Sequence, residues 1–91
     1  MANEPDYKKN VTWSTRARSD MRAMDRQTAL EILHGIDRYL SNQPSDVKFL
    51  RPPLSGCRLR IGDWRVLFDL LDEPNSIEVN RVLHRSRAYL R

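Results

Sequence analysis

The apolar residues of this 91-residue chain change their period halfway along, and that change restricts the fold more than any other feature. Between Ala17 and Leu40 they recur at helical spacing, with Ala17, Met21 and Met24 at i, i+4 and i+7, then Ala29, Leu30, Ile32, Leu33, Ile36 and Leu40. From Cys57 onward they alternate, with Cys57, Leu59 and Ile61 separated by Arg58 and Arg60. A stripe of period 3.6 buries one face of a helix, and a stripe of period 2 buries one face of a strand. The chain therefore reads as helices first and an antiparallel sheet second, each offering the other its apolar side.

The boundaries follow from local chemistry. Val11, Thr12 and Trp13 are β-prone, and Ser14 or Thr15 is a helix N-cap before Arg16. Asp25 is a second N-cap, and the helix that it opens runs to about Ser41, where Asn42, Gln43, Pro44 and Ser45 stop it. Residues 47–56, with Pro52, Pro53 and Gly56, read as a loop. A strand at Cys57–Ile61 is joined by Gly62 and Asp63 to a second strand at 64–71, with glycine first, as a type II′ turn requires. Asp72, Glu73, Pro74 and Asn75 turn the chain into a third strand at 76–83, where Val82 falls out of phase with Ile77 and Val79, the mark of a bulge or of two-sided burial. The expected fold is α+β: an N-terminal strand, a two-helix hairpin and a three-stranded antiparallel meander. Residues 1–9 read as a polar leader without the order of a secretory signal, and residues 10–91 as one domain.

Charge separates the two halves. Sixteen Lys and Arg against twelve Asp and Glu give +4, and residues 1–46 balance at seven of each, so the whole excess lies in residues 47–91. An anion site belongs there. Period-2 alternation puts Arg58 and Arg60 on the face opposite Cys57, Leu59 and Ile61, and Arg65 joins them if its face of the next strand is the open one. Lys48 and Arg51 add positive charge just upstream, and His84, Arg85, Arg87 and Tyr89 follow the last strand. Arginines that hold phosphate beside an aromatic ring that stacks on a base suit RNA. A sheet face turned to water and a basic chain end account for the same residues without function.

Other chemistries find little support. Cys57 is the single cysteine, which excludes an intramolecular disulfide, and it suits a small core position. His34 and His84 are too far apart for the usual spacing of zinc ligands, and Gly35, Gly56 and Gly62 form no phosphate-cradling loop. Asp69, Asp72 and Glu73 read as a solvated strand end rather than an acid/base pair. No run of 18 apolar residues exists to span a bilayer, so a cytoplasmic protein with no cofactor is expected.

The segment Leu54-Ser-Gly-Cys-Arg-Leu-Arg-Ile-Gly-Asp-Trp-Arg-Val-Leu-Phe68, followed by Ile77-Glu-Val-Asn-Arg-Val-Leu-His-Arg85 and by Tyr89, resembles the RelE/ParE superfamily of toxin–antitoxin toxins. The resemblance runs from about residue 10 to the last residue. For the RelE branch it implies a ribonuclease that enters the ribosomal A site and cuts mRNA without a metal, the RNA's own 2′-hydroxyl attacking to leave a 2′,3′-cyclic phosphate and a 5′-hydroxyl. Arg58, Arg60, Arg65, Arg85 and Tyr89 fall on the positions of that active site, with His84 beside them. Arg65 and Arg85 would stabilise charge on the scissile phosphate, and Tyr89 would stack on a base or orient the hydroxyl. Several RelE-like toxins carry lysine where this chain has Arg58 and Arg60. Arginine does not give up its proton, so the base would be His84, the preferred candidate, or Tyr89, or catalysis would rest on positioning and electrostatics; a structural role for His84 at a strand end accounts for it as well.

The ParE branch poisons DNA gyrase instead, and Val82-Leu83-His84 is ParE-like, because RelE toxins often have glycine where Leu83 stands. Arg58 and Arg60 on one strand, the Gly62-Asp63-Trp64-Arg65 turn and a chain that ends two residues after Tyr89 favour the ribonuclease. A third reading is a catalytically inert domain that binds an antitoxin or RNA. The resemblance further implies a cognate antitoxin as partner, the ribosome and mRNA as targets, and leaves room for a toxin–antitoxin complex on operator DNA.

Overall fold

The computed structural model describes residues 10–88. Its elements run β1 (Val11–Trp13), α1 (Thr15–Arg22), α2 (Arg26–Leu40), β2 (Asp46–Phe49), β3 (Cys57–Ile61), β4 (Trp64–Leu70), β5 (Ile77–His84) and α3 (Arg85–Ala88). The five strands form one sheet in the order β1-β5-β4-β3-β2, antiparallel except that β1 runs parallel to β5. The expected α+β order is present, with one strand more than the sequence reading gave. The start of the expected loop at 47–56, together with Asp46, is instead a strand that pairs with β3 at the sheet edge. All four of its residues are exposed, so it lacks the burial contrast that makes a strand visible in a sequence.

The helices α1 and α2 open as their side chains dictate. Ser14 is extended, and its Oγ accepts the Ala17 N–H at 3.0 Å; Asp25 does the same for the Thr28 N–H at 2.9 Å. The Ser14 hydroxyl also donates to the Asn80 carbonyl at 2.9 Å, which ties the start of α1 to β5. At the far end of α2, the Ser41 N–H still reaches the Asp37 and Arg38 carbonyls, and Asn42 takes a positive φ of 65°, a conformation that asparagine tolerates.

The core lies between the helices and one face of the sheet. Ala17, Ile32 and Ile36 meet Leu59, Val66, Phe68, Val79 and Val82, all essentially inaccessible. Tyr39 tilts against Phe68, with ring centroids 5.3 Å apart. Gly35 lets α2 pack close on the Ile61 side chain: a Cβ there would lie 2.5 Å from Ile61 Cδ1, so a larger residue would have to displace that side chain. Val82 is in the core because Asn80 is an extra residue. Arg81 stands opposite Leu67 and Val79 opposite Phe68, and this bulge restores to Val82 the face that strict alternation denies it. Leu70, in phase with Phe68, is nevertheless exposed, because it lies near the end of the sheet.

β1 covers only the first half of β5. Beyond it, α1 closes the edge through Asp20, whose carboxylate accepts the Val82 N–H at 2.8 Å and the Arg81 Nε–H at 2.9 Å. Burial would raise this carboxyl, but the bonds from Arg81 and Val82 and the charges of Arg81 and Arg16 outweigh it and hold the group below its ordinary value. Among the described residues no helix is long and apolar enough to cross a membrane.

Candidate active site

The face of the sheet that the helices leave open is built from the strand positions between core residues. Register makes Arg60 the direct partner of Arg65, Arg58 that of Leu67, and Arg65 that of Leu83. On β2, Asp46 stands opposite Arg60 and Lys48 opposite Arg58. Lys48, Arg58, Arg60 and Arg65 therefore share one face. Like charges directly opposite each other on a sheet repel, so the Arg60 and Arg65 pair opposes the hairpin that carries it.

The four cations are not equivalent. Arg60 is exposed, and Arg58 keeps only 12 % of its side chain in solvent. Both reach Asp46, Arg58 at 3.3 Å and Arg60 at 3.8 Å, so one carboxylate sits between two guanidinium groups. Arg65 is different in kind. Its residue is 5 % exposed, its Nη1 donates to the Gly62 and Trp64 carbonyls at 3.0 Å each, and its buried Nε has no hydrogen-bond partner among the described residues. No carboxylate of the described residues pairs with it. Removing a guanidinium from water without a counterion is costly, and the Nε edge is the side on which a guanidinium grips an anion with parallel donors.

The turn beneath this residue takes the expected form. Gly62, the first central residue, has φ of +58° with open space around it, and Asp63 has no positive φ. Arg85, the first residue of α3, donates its N–H to the Asp63 carbonyl at 2.7 Å and brings its Nε to 3.8 Å from the Asp63 carboxylate. Arg65 and Arg85 are thus both held at the β3–β4 turn.

His84 does not join them. It is the cross-strand partner of Trp64, and the two rings meet edge to face with centroids 5.4 Å apart. Trp64 in turn pairs with Ile61, which packs on α2, so His84 stands on the helix side of the sheet. Its Nδ1 accepts the Ser86 N–H at 3.2 Å and lies 3.0 Å from Ser86 Oγ, which leaves Nε2 as the donor of the neutral ring. With Arg87 it borders a cleft of about 410 Å³ that also takes in Asp20, Met24, Trp64 and Arg81. Arg51 is exposed in the loop after β2. Tyr89 lies outside the described residues.

Cys57 is buried, as a core cysteine should be. Burial, and after it the charge of Asp69, pushes its thiol up and keeps it protonated. No cluster of three or more potential metal ligands occurs among the described residues. The sequence gives no sign of the role of Asp46, because the strand that sets it opposite Arg60 is not visible there, and it shows Asp63 as a turn residue only.

Comparison with known proteins agrees with this architecture. Similar solved structures include the toxin–antitoxin complex RelBE2 from Mycobacterium tuberculosis, at 28% identity and a TM-score of 0.69 over 85% of this chain and 91% of the other. The RelB–RelE complex of Methanococcus jannaschii is similar at 21% identity and a TM-score of 0.66, over 86% and 94% of the two chains. The RelE–RelB complex of Pyrococcus horikoshii follows at 19% and 0.63, over 87% and 97%. No curated protein matches the sequence. The model of the family described as the ParE toxin of the type II toxin–antitoxin system parDE matches residues 11–89. Fold, register and family match lead to one conclusion: the chain belongs to the ParE toxin family of type II toxin–antitoxin systems, within the RelE/ParE superfamily.

Proposed function

We propose that this toxin is a ribosome-dependent endoribonuclease that cleaves mRNA in the A site and so arrests translation in the cytoplasm. The observation that carries the reading is Arg65, a buried guanidinium that has no carboxylate partner and no partner for its Nε among the described residues, flanked across the hairpin by Arg60. Such a group favours the state in which an anion has arrived, and most of all one whose charge grows during reaction. The reaction is attack of the RNA 2′-oxygen on the adjacent phosphorus, with rupture of the bond to the 5′-oxygen. The products are a 2′,3′-cyclic phosphate and a 5′-hydroxyl, and the proton lost by the 2′-hydroxyl is balanced by one gained at the leaving oxygen. Arg65 and Arg85 neutralise the phosphorane. Arg58, Arg60 and Lys48 hold the flanking phosphates, and Tyr89 stacks on a base or orients the hydroxyl. His84, turned to the other side of the sheet, is not assigned the base role. The reading rests catalysis on positioning and charge, with water carrying the protons. The partner that silences the toxin is a cognate antitoxin protein.

The match to the ParE toxin family favours a second reading, and the gyrase poisoning that the resemblance to the ParE branch implies would make DNA gyrase the target. One experiment separates the two. Purified protein is added to ribosomes stalled on a defined mRNA, and new 3′ ends are mapped for wild type, Arg65→Ala and Tyr89→Phe. Cuts confined to the A-site codon and reduced at least 100-fold by Arg65→Ala are expected, the scale on which loss of one charge-stabilising donor acts. Intact mRNA together with inhibited gyrase supercoiling would overturn the ribonuclease in favour of the gyrase reading.

A further inference from the structure

The segment Gly62–Trp64 makes four contacts with the two arginines assigned above to the scissile phosphate. The Gly62 and Trp64 carbonyls, on either side of Asp63, each accept from Arg65 Nη1 at 3.0 Å. The Asp63 carbonyl accepts the Arg85 N–H at 2.7 Å, and its carboxylate lies 3.8 Å from Arg85 Nε. Arg65 comes from β4 and Arg85 from the start of α3, so without the turn their guanidinium groups would be placed by two separate elements. Both carbonyls that hold Arg65 belong to backbone fixed by the hairpin. The side chain of Arg85 is 61 % exposed, and the only carboxylate near it among the described residues is that of Asp63.

We propose that Asp63 is a positioning residue: its carbonyl pins the backbone of Arg85, and its carboxylate steers the Arg85 guanidinium towards the corner where the same turn holds Arg65. The two contacts have different strengths. An exposed ion pair at 3.8 Å is weak, so the carboxylate biases the direction of the guanidinium and still releases it to a phosphate, while the backbone bond stays in place. Glycine at position 62 belongs to the same device: it supplies the positive φ of the turn from which the Asp63 carbonyl meets the Arg85 N–H. The catalytic consequence rests on the proposed ribonuclease; the steering of Arg85 does not.

The test reads both levels in the full-length protein. Nitrogen-15 relaxation of the arginine Nε–Hε groups is measured in wild type, Asp63→Asn and Asp63→Glu. Ordered Arg85 Nε–Hε in wild type, loss of that order in Asp63→Asn, recovery in Asp63→Glu and an unchanged Arg65 signal are expected. A merely structural role would loosen Arg65 as well, or shift the melting temperature without affecting Arg85. Single-turnover cleavage on stalled ribosomes is followed in parallel. Asp63→Asn should slow it on the order of tenfold at unchanged half-saturation, and should slow it no further when Arg85 is already alanine. Arg85 order that is the same with and without the carboxylate overturns the proposal, whatever the cleavage assay gives. Wild type that cuts nothing while Arg85 order still follows Asp63 overturns the ribonuclease reading and supports the positioning role.

Discussion

Asp20 and Arg65 are opposite answers to the same physical problem. The Asp20 carboxylate is largely withdrawn from solvent and is repaid by Arg81 and the Val82 N–H. Because folding lowers its pKa, the stability it contributes is present above the unfolded carboxyl value and is lost as pH falls through the lower folded value. Asp20→Asn should therefore destabilise the protein at pH 7 by about 1–3 kcal/mol, and the gap from wild type should narrow progressively below about pH 4. Urea unfolding of both proteins between pH 7 and pH 3 checks this; a gap that stays constant would show that the charge of Asp20 is not what matters. Arg65 has no such repayment, and this was only half legible. Alternation placed it on a face, but a sequence does not show that its Nη1 is spent on two carbonyls or that its Nε is orphaned. His84 is the reverse case. Proximity in sequence grouped it with Arg85, whereas cross-strand pairing with Trp64 puts it behind the sheet, and only register could separate the two neighbours.

Among the elements, those with a buried face and a cap were plain. Ser14 and Asp25 cap the helices as their chemistry predicts, and the β3–β4 hairpin closes through the expected glycine. Gly62→Ala tests that turn in isolation, because the open space around the residue leaves backbone conformation as the only cost. A loss of about 1 kcal/mol is expected from the left-handed φ, measured as a fall in melting temperature. An unchanged melting temperature would mean that the turn accepts another geometry. β2 escaped because each of its residues is exposed, so the alternation of Asp46, Val47, Lys48 and Phe49 sits beside two prolines and reads as loop. The parallel pairing of β1 with β5 escaped for another reason. It joins segments more than sixty residues apart, and three residues carry too little pattern to name their partner.

Across the whole molecule the charge follows the layers. The surplus of four lies in the half of the chain that forms most of the sheet, and on its open face Lys48, Arg58, Arg60 and Arg65 are answered locally by Asp46 alone among β2 and β3 residues. Binding of a short single-stranded RNA should therefore weaken steeply with salt. Four or five cations, less the charge that Asp46 and Asp63 already satisfy, correspond on a single strand to a slope of about −1.4 to −2.1 in log affinity against log salt. Fluorescence anisotropy across 50–300 mM potassium chloride measures it, and a slope near zero would remove the open face as an anion surface. The half-chain charge count foresaw this asymmetry. It did not foresee the two carboxylates that temper it, because their partners are set by a strand and a turn contact that only the folded chain brings together.

The direct opposition of Arg60 and Arg65 also bears on how the chain reaches its native state. The β3–β4 hairpin has a suitable turn and apolar pairs that favour closing, such as Leu59 with Val66, yet it cannot close without placing two like-charged residues directly opposite each other. Local preference and global fold agree along most of this protein, and at this one pair they conflict. The hairpin is frustrated where the site is, and the chain carries that frustration through every folding event as the standing cost of a surface made to receive anions.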